Sequence, residues 1–316
     1  MASRAAKKAC ASRFGEISMP VRSQPFRQLH LDFHTSQHIP DLAARFDAAE
    51  FAATLQRARV QSVQLFARCW HGWMYFPSQK FPDRVHPHLD GRDLLAEQIA
   101  ACHDAGIHAP IYVAAEIDWH SAQQHPEWVR LSPDGRLGKG GVFEPKLGPP
   151  LCLHGPFRGF LFAHVDEILA RTCADGFWFD GVTPQDCCCR FCRETMISRG
   201  LDPQNQAHRQ SFGTQVAGDF CREMSARVRE KSPDATLFYN AGHIGPRHRL
   251  WRDSHTHFEI ESLPGGGWGY LHFPVAARLA RTFGREIVGM TGKFHTSWGD
   301  FHEKRSGCPA ACGGEE

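Results

Sequence analysis

An α/β barrel of the (β/α)8 type, truncated after its seventh strand, is the fold predicted by three observations. Short apolar runs rich in β-branched and aromatic residues alternate with segments whose apolar residues recur at spacings of three and four. That alternation is the pattern of a parallel sheet covered by helices. The chain of 316 residues is long enough for one sizeable core, and no repeat or low-complexity segment divides it. Acids, histidines and tryptophans gather at the C-terminal ends of the apolar runs, where such barrels carry their chemistry.

Seven strands are expected, over residues 28–34, 62–68, 107–114, 176–180, 236–240, 257–262 and 286–291. Helices are expected over 47–59, 93–105, 157–172, 207–231 and 273–283, with Asp47 and Asp93 as N-caps and Gly106 and Gly200 as C-terminal stops. One barrel domain over 24–302 follows, preceded by an irregular extension over 1–23 and followed by an irregular tail over 303–316. A complete barrel takes eight strands and typically about 250 residues, and no eighth run follows residue 291. Strands one and seven are then expected to present open edges, a surface on which a second copy of the chain could pair.

Charge excludes some partners. Lys and Arg number 36 against 34 Asp and Glu, a net +2, and the basic residues are dispersed apart from Arg4, Lys7, Lys8 and Arg13. No nucleic-acid footprint is expected from this distribution. No apolar run reaches the length of a membrane span or of a signal-peptide core. Twelve cysteines in so long a chain, with no export signal, are expected to be mostly free thiols in a cytoplasmic setting.

The stretch Asp175-Gly176-Phe177-Trp178-Phe179-Asp180 is expected to bring one carboxylate to the end of strand four. The period of two places Trp178 on the inner face with Asp180 and Phe179 on the outer one. A plainer role for Asp180 is to cap the turn at Gly181. On strand six the same period groups His257, Glu259 and Glu261 on one face. Two acids pointing into a barrel are costly unless they serve a polar site or pair with a cation such as Arg68 or Lys293. Glu261, nearer the strand end, is the preferred general acid/base, and Glu259 is the second choice or a ligand for a sugar hydroxyl. Two carboxyls about 5–5.5 Å apart suit glycoside hydrolysis with retention, and about 6.5–9.5 Å apart, with inversion. Neither route requires a cofactor.

Histidines and tryptophans complete the expected pocket. Asp32 and His34 share a face of strand one with His30, His71 lies beside Trp70 and Trp73, and His243, Trp268 and His295 follow strands five, six and seven. Neutral imidazoles exchange hydrogen bonds with sugar hydroxyls, while aromatic planes stack on the C–H face of a pyranose. Tyr75, Trp119 and Trp298 are expected in the same post-strand loops.

Five motifs in order carry a family resemblance: His30-Leu31-Asp32-Phe33-His34-Thr35-Ser36, Phe66-Ala67-Arg68-Cys69-Trp70-His71-Gly72-Trp73, Asp175 to Asp180, Glu259-Ile260-Glu261-Ser262-Leu263-Pro264 with Gly266-Gly267-Trp268-Gly269-Tyr270, and Gly289-Met290-Thr291-Gly292-Lys293-Phe294-His295. Together they resemble a glycoside-hydrolase family of the α-L-fucosidase-like type, whose longer members carry a β-galactosidase-type trimerisation domain after the barrel. The resemblance extends over roughly residues 27–302. It implies a glycoside or oligosaccharide substrate and double displacement through a covalent glycosyl–Asp180 intermediate.

Two other functions stay open at this point. His30-x-Asp32-x-His34 with histidines after later strands is similar to metal-dependent amidohydrolase barrels, in which such a pair grips a divalent ion. An inactive sugar-binding barrel is the other. Separately, Cys187-x-Cys189-x-x-Cys192 resembles a structural zinc cluster of some β-galactosidase barrels, with Cys152 or Cys188 as the fourth ligand. A loop of reduced thiols is its alternative.

Overall fold

A computed structural model describes residues 24–137, 148–262 and 268–291. The elements follow one another as β1 (Gln28–His30), α1 (Ala48–Arg57), β2 (Ser62–Arg68), α2 (Leu94–Asp104), β3 (Ile111–Ala114), α3 (Trp119–Gln124), α4 (Pro156–Arg171), β4 (Gly176–Asp180), α5 (Arg190–Ser198), α6 (Gln206–Lys231), β5 (Thr236–Tyr239), β6 (His257–Glu261), α7 (His272–Arg281) and β7 (Glu286–Met290). β1 to β5 pair in sequence order as one parallel sheet, and β6 pairs with β7 in a second. At the seam between the sheets, Thr256 N donates to Leu237 O at 3.0 Å and Leu237 N to Thr256 Oγ1 at 2.9 Å. This is the expected (β/α)-barrel wall. Among the described residues no eighth strand follows β7, and Gln24 N donates to Glu286 Oε2 at 2.7 Å, joining the start of the wall to its last strand. The expected extension over 1–23 and tail over 303–316 lie outside the described residues.

The expected caps form. Asp47 accepts from Glu50 N at 2.7 Å and Asp93 from Ala96 N at 3.1 Å, each satisfying a backbone donor that the first helical turn leaves free. Two boundaries move. β1 stops at His30 rather than running to residue 34, and the ladder of β3 starts at Ile111 because Pro110 has no N–H to give. Helices α3 and α5 were not expected: one has only six residues, and the other carries its apolar positions on a single narrow stripe within a polar, cysteine-rich segment.

Two apolar layers flank the wall. Outside, Val63, Leu65, Val113, Phe177 and Phe179 pack against Ile99 of α2, Leu161 and Val165 of α4 and Phe220 of α6. Inside, Phe66 stacks on Tyr112 at 3.9 Å, Tyr112 on Trp178 at 5.4 Å, and Trp178 leans on Phe238 at 5.6 Å. Each such side chain gains on the order of 1.5–3 kcal/mol from burial. In β2 the register slips: Phe66 pairs with Tyr112, but Arg68 pairs with Val113, the next residue along β3. A bulge of this kind turns Ala67 and Arg68 both outward. Gly213 of α6 lets the helix press on the loop after β4, since a Cβ there would meet Gln185 O at 1.7 Å.

Candidate active site

Asp180, the last residue of β4, stands on the inner face and is buried. Its Oδ2 accepts from Trp70 Nε1 at 2.9 Å and from the Tyr112 hydroxyl at 2.5 Å, and its Oδ1 accepts from Asn240 Nδ2 at 2.9 Å. Burial raises this carboxyl above its ordinary range, while the bonds from Tyr112, Asn240 and Trp70 and the nearby His30 pull the other way. Gly181 follows with φ +77°, a conformation open to glycine, and turns the chain sharply away after the acid.

Glu261 ends β6. Its Oε2 accepts from Asn240 Nδ2 at 2.9 Å, whereas its Oε1 is buried with no hydrogen-bond partner among the described residues. Burial, followed by repulsion from Asp180, Asp32 and Glu259, pushes its carboxyl up to about 8 against the lowering bond from Asn240. A proton on Glu261 is therefore held at neutral pH. Two bonds of 2.9 Å to one nitrogen place the nearer oxygens of Asp180 and Glu261 within about 5–6 Å of each other.

Glu259 sits deeper on the same face and is fully engaged, accepting from Trp178 Nε1 at 3.0 Å and bonding His257 Nε2 at 2.9 Å. Its free capacity is small, so the geometry favours Glu261 over Glu259 as the group that meets substrate. The alternative of an ion pair between these acids and Arg68 does not form: the bulge sends Arg68 outward to Asp118. Lys293 lies outside the described residues.

Asp32 and His34 stand in the loop after β1 rather than on the strand, yet they still converge with it. Asp32 Oδ1 lies 3.1 Å from His30 Nε2 and 3.7 Å from His34 Nε2. Burial raises the Asp32 carboxyl, but the His30 bond and the two imidazoles outweigh it and hold it low. His34 stacks on Trp70 at 4.1 Å, accepts from Trp70 N at 3.3 Å, and is pushed down to about 3 by burial, so it is a neutral ring. Burial likewise lowers His71 in the adjoining loop. His243 and Trp268 form a separate group at the mouth: His243 bonds His272 at 3.1 Å and Trp268 Nε1 donates to Gly242 O at 3.0 Å. His295 and Trp298 lie outside the described residues. Tyr75 is not a cleft residue, being buried with its hydroxyl on Thr35 and Phe33 O at 2.7 Å each.

Tyr112 and Asn240 are the functional side chains that sequence reasoning missed. The strand period alone could have indicated both, because Tyr112 is opposite Trp178 in the ladder and Asn240 lies two residues beyond Phe238 on the inner face.

A second cluster lies beside the loop after β4. Cys152, Cys187, Cys189 and Cys192 are buried and their sulfurs all lie within 4.8 Å of one another, Cys152 and Cys192 at 3.4 Å. Cys188 is not part of it, donating instead to Pro203 O at 3.5 Å. Four thiolates at about 2.3 Å from one ion would stand about 3.8 Å apart, so the donor set fits tetrahedral zinc. Bonds from the neighbouring cysteines lower Cys187 and Cys189 and raise Cys192 and Cys152, as in four thiols sharing protons at a site for a cation. Among the described residues no other group of three or more ligand side chains comes within such a distance.

The barrel thus brings two buried carboxyls, at the ends of β4 and β6 on either side of β5, to one end of its wall, and comparison with known proteins finds glycoside hydrolases similar to the chain. Residues 47–181 match the family model described as hypothetical glycosyl hydrolase 6. The chain is α-L-fucosidase-like: it is 38% identical to α-L-fucosidase isoenzyme 2 from Paenibacillus thiaminolyticus, with a TM-score of 0.81 over 87% of this chain and 41% of that one. It thus spans about two fifths of that relative. Two further structures share the fold at 13% identity and a TM-score of 0.61 each. One is the cold-adapted β-galactosidase from Rahnella sp. R3, with 87% of this chain and 46% of that one covered. The other is the PgaB (BpsB) glycoside hydrolase domain from Bordetella bronchiseptica, with 85% of each covered. No curated protein matches the chain.

Proposed function

We propose that this barrel hydrolyses terminal α-L-fucosides with retention of configuration. The observation that supports the reading is the shared amide of Asn240: Asp180 and Glu261 each bond its Nδ2 at 2.9 Å, which brings their nearer oxygens within about 6 Å of each other, close enough for two carboxyls to work on one bond. In the first step an oxygen of Asp180 attacks the anomeric carbon, the glycosidic bond breaks, and the departing oxygen takes the proton of Glu261. In the second, Glu261 takes a proton from water, the water oxygen attacks the anomeric carbon, and Asp180 leaves as a carboxylate. The sugar is held by neutral His34 and His71 and by Trp70. The fucoside preference rests on the likeness to the Paenibacillus enzyme.

The rival amidohydrolase reading asks His30, Asp32 and His34 to converge on one ion. Asp32 is instead hydrogen-bonded to His30, and the three form no metal-sized group. The cysteine cluster is read as a structural zinc site, which would stabilise the loop over 181–189 that frames Asp180.

A panel of nitrophenyl glycosides tests the substrate, and proton NMR of the first-formed product tests the stereochemistry. A 2-deoxy-2-fluoro fucosyl fluoride is expected to leave its mass on the peptide containing Asp180. An inverted product, or label on another acid, would overturn the mechanism.

A further inference from the structure

Asn240 is rigidly placed. Its N–H donates to Phe179 O and its carbonyl accepts from Val182 N, both at 2.7 Å, so its backbone is locked to the end of β4. Its Oδ1 accepts from Gly242 N at 3.0 Å, which fixes the orientation of the amide and leaves the two hydrogens of Nδ2 for Asp180 Oδ1 and Glu261 Oε2. No other described side chain bonds both acids: Tyr112 and Trp70 reach only Asp180.

We propose that Asn240 is a positioning residue that ties the ionisation of the nucleophile to that of the acid/base, so that one amide sets the working pH range of the site. The catalytic consequence rests on the glycosidase reading, but the tie between the two titrations does not. An N–H donor favours the charged form of each acid it touches. Here one group acts on both, and in each acid its bond opposes the rise caused by burial. The other titratable groups facing the pair are Tyr112 from β3, His30, Asp32 and His34 from β1 and its loop, and His257 and Glu259 from β6. Of these, His30, Tyr112, Asp32 and Glu259 bear on one acid or the other through space or a single bond. When Asp180 becomes esterified its charge disappears, Glu261 loses a like-charged neighbour across the amide, and the acid of the first step can act as the base of the second.

The test is a titration of the full chain labelled with carboxyl-¹³C aspartate and glutamate, read by NMR, with Asp180→Asn and Glu261→Gln supplying the assignments. In Asn240→Leu both carboxyls are expected to titrate at higher pH, by roughly one unit or tenfold in proton affinity. Both limbs of the kcat/KM profile on an aryl glycoside are expected to move to higher pH together, with KM little changed. Asn240→Ser, a smaller change that keeps a single donor, serves if the leucine variant does not fold, and should move one acid more than the other. A shift of neither acid in either variant, or of the same single acid in both, overturns the proposal. Paired shifts in a protein that cleaves no glycoside would uphold the tie and remove the proposed function.

Discussion

On the outer face of the wall, Arg68 and Arg84 share Asp118, with Arg84 also donating to Ser121 Oγ. On the inner face, in the loop after β1 and along β4 and β6, Asp32, Asp180, Glu259 and Glu261 gather with imidazoles, indoles and amides as their hydrogen-bond partners. Apart from the exposed Asp32, both sets are buried. In the first, one carboxylate is shared by two guanidiniums, opposite charges attract, and the set is accounted for by folding alone. In the second, like charges are brought together and one acid is pushed up to about 8, an arrangement that disfavours folding and is explained by a task.

The sharpest way to separate the two faces is to remove one acid from each. Asp180→Asn should lower kcat/KM by at least about 10³-fold while unfolding within about 1 kcal/mol of the parent, because the amide keeps an acceptor for part of the Trp70, Tyr112 and Asn240 bonds. A large loss of stability with activity retained would erase the distinction. Asp118→Asn should do the reverse, costing about 3–5 kcal/mol in denaturant unfolding because two buried guanidiniums lose their counter-charge. Turnover per folded molecule should persist.

The inner face also leaves a mark on pH dependence. Glu261 binds its proton more tightly in the folded than in the unfolded chain, so the stability it lends is fully present below its ordinary value of 4.5 and is lost as pH rises to about 8. Glu261→Gln should therefore gain on the parent across that window, by at most about 1.4 kcal/mol per pH unit, and gain nothing more beyond it. In the parent, kcat/KM should fall above about pH 8 as Glu261 loses its proton. The smallest effect on activity is expected at the cysteines. The parent is expected to carry one zinc ion per chain by mass spectrometry of the metal, and Cys152→Ser is expected to carry less and to melt at a lower temperature, while the pH limbs stay in place.

Much of the wall was legible in the sequence because strand period and helix period differ. All seven strands appear where the apolar runs lie, and the inward Trp178 and outward Phe179 follow from alternation. Asp180 and Glu261 were legible for the same reason, each being the last inward residue of its strand. The inward placement of Asn240 follows from the same period, but its role does not, because an amide carries no charge signal and the role arises only where β4, β5 and β6 meet. The fourth cysteine was left between Cys152 and Cys188 because the choice depends on where the chain near residue 152 passes the loop after β4. The alternative ion pair with Arg68 could not be weighed from alternation, because alternation holds only while the ladder stays in register.

That slip in β2 reaches further than its one residue. Strict alternation from Phe66 would aim Arg68 into the barrel, where a permanent cation could neutralise the acids one by one and freeze them as ion pairs. By admitting Ala67 as an extra outward residue, the strand sends its cation to Asp118 and leaves Asp180, Glu259 and Glu261 without a guanidinium partner among the described residues. A single methyl-bearing residue thus acts as a charge sorter for the whole cavity.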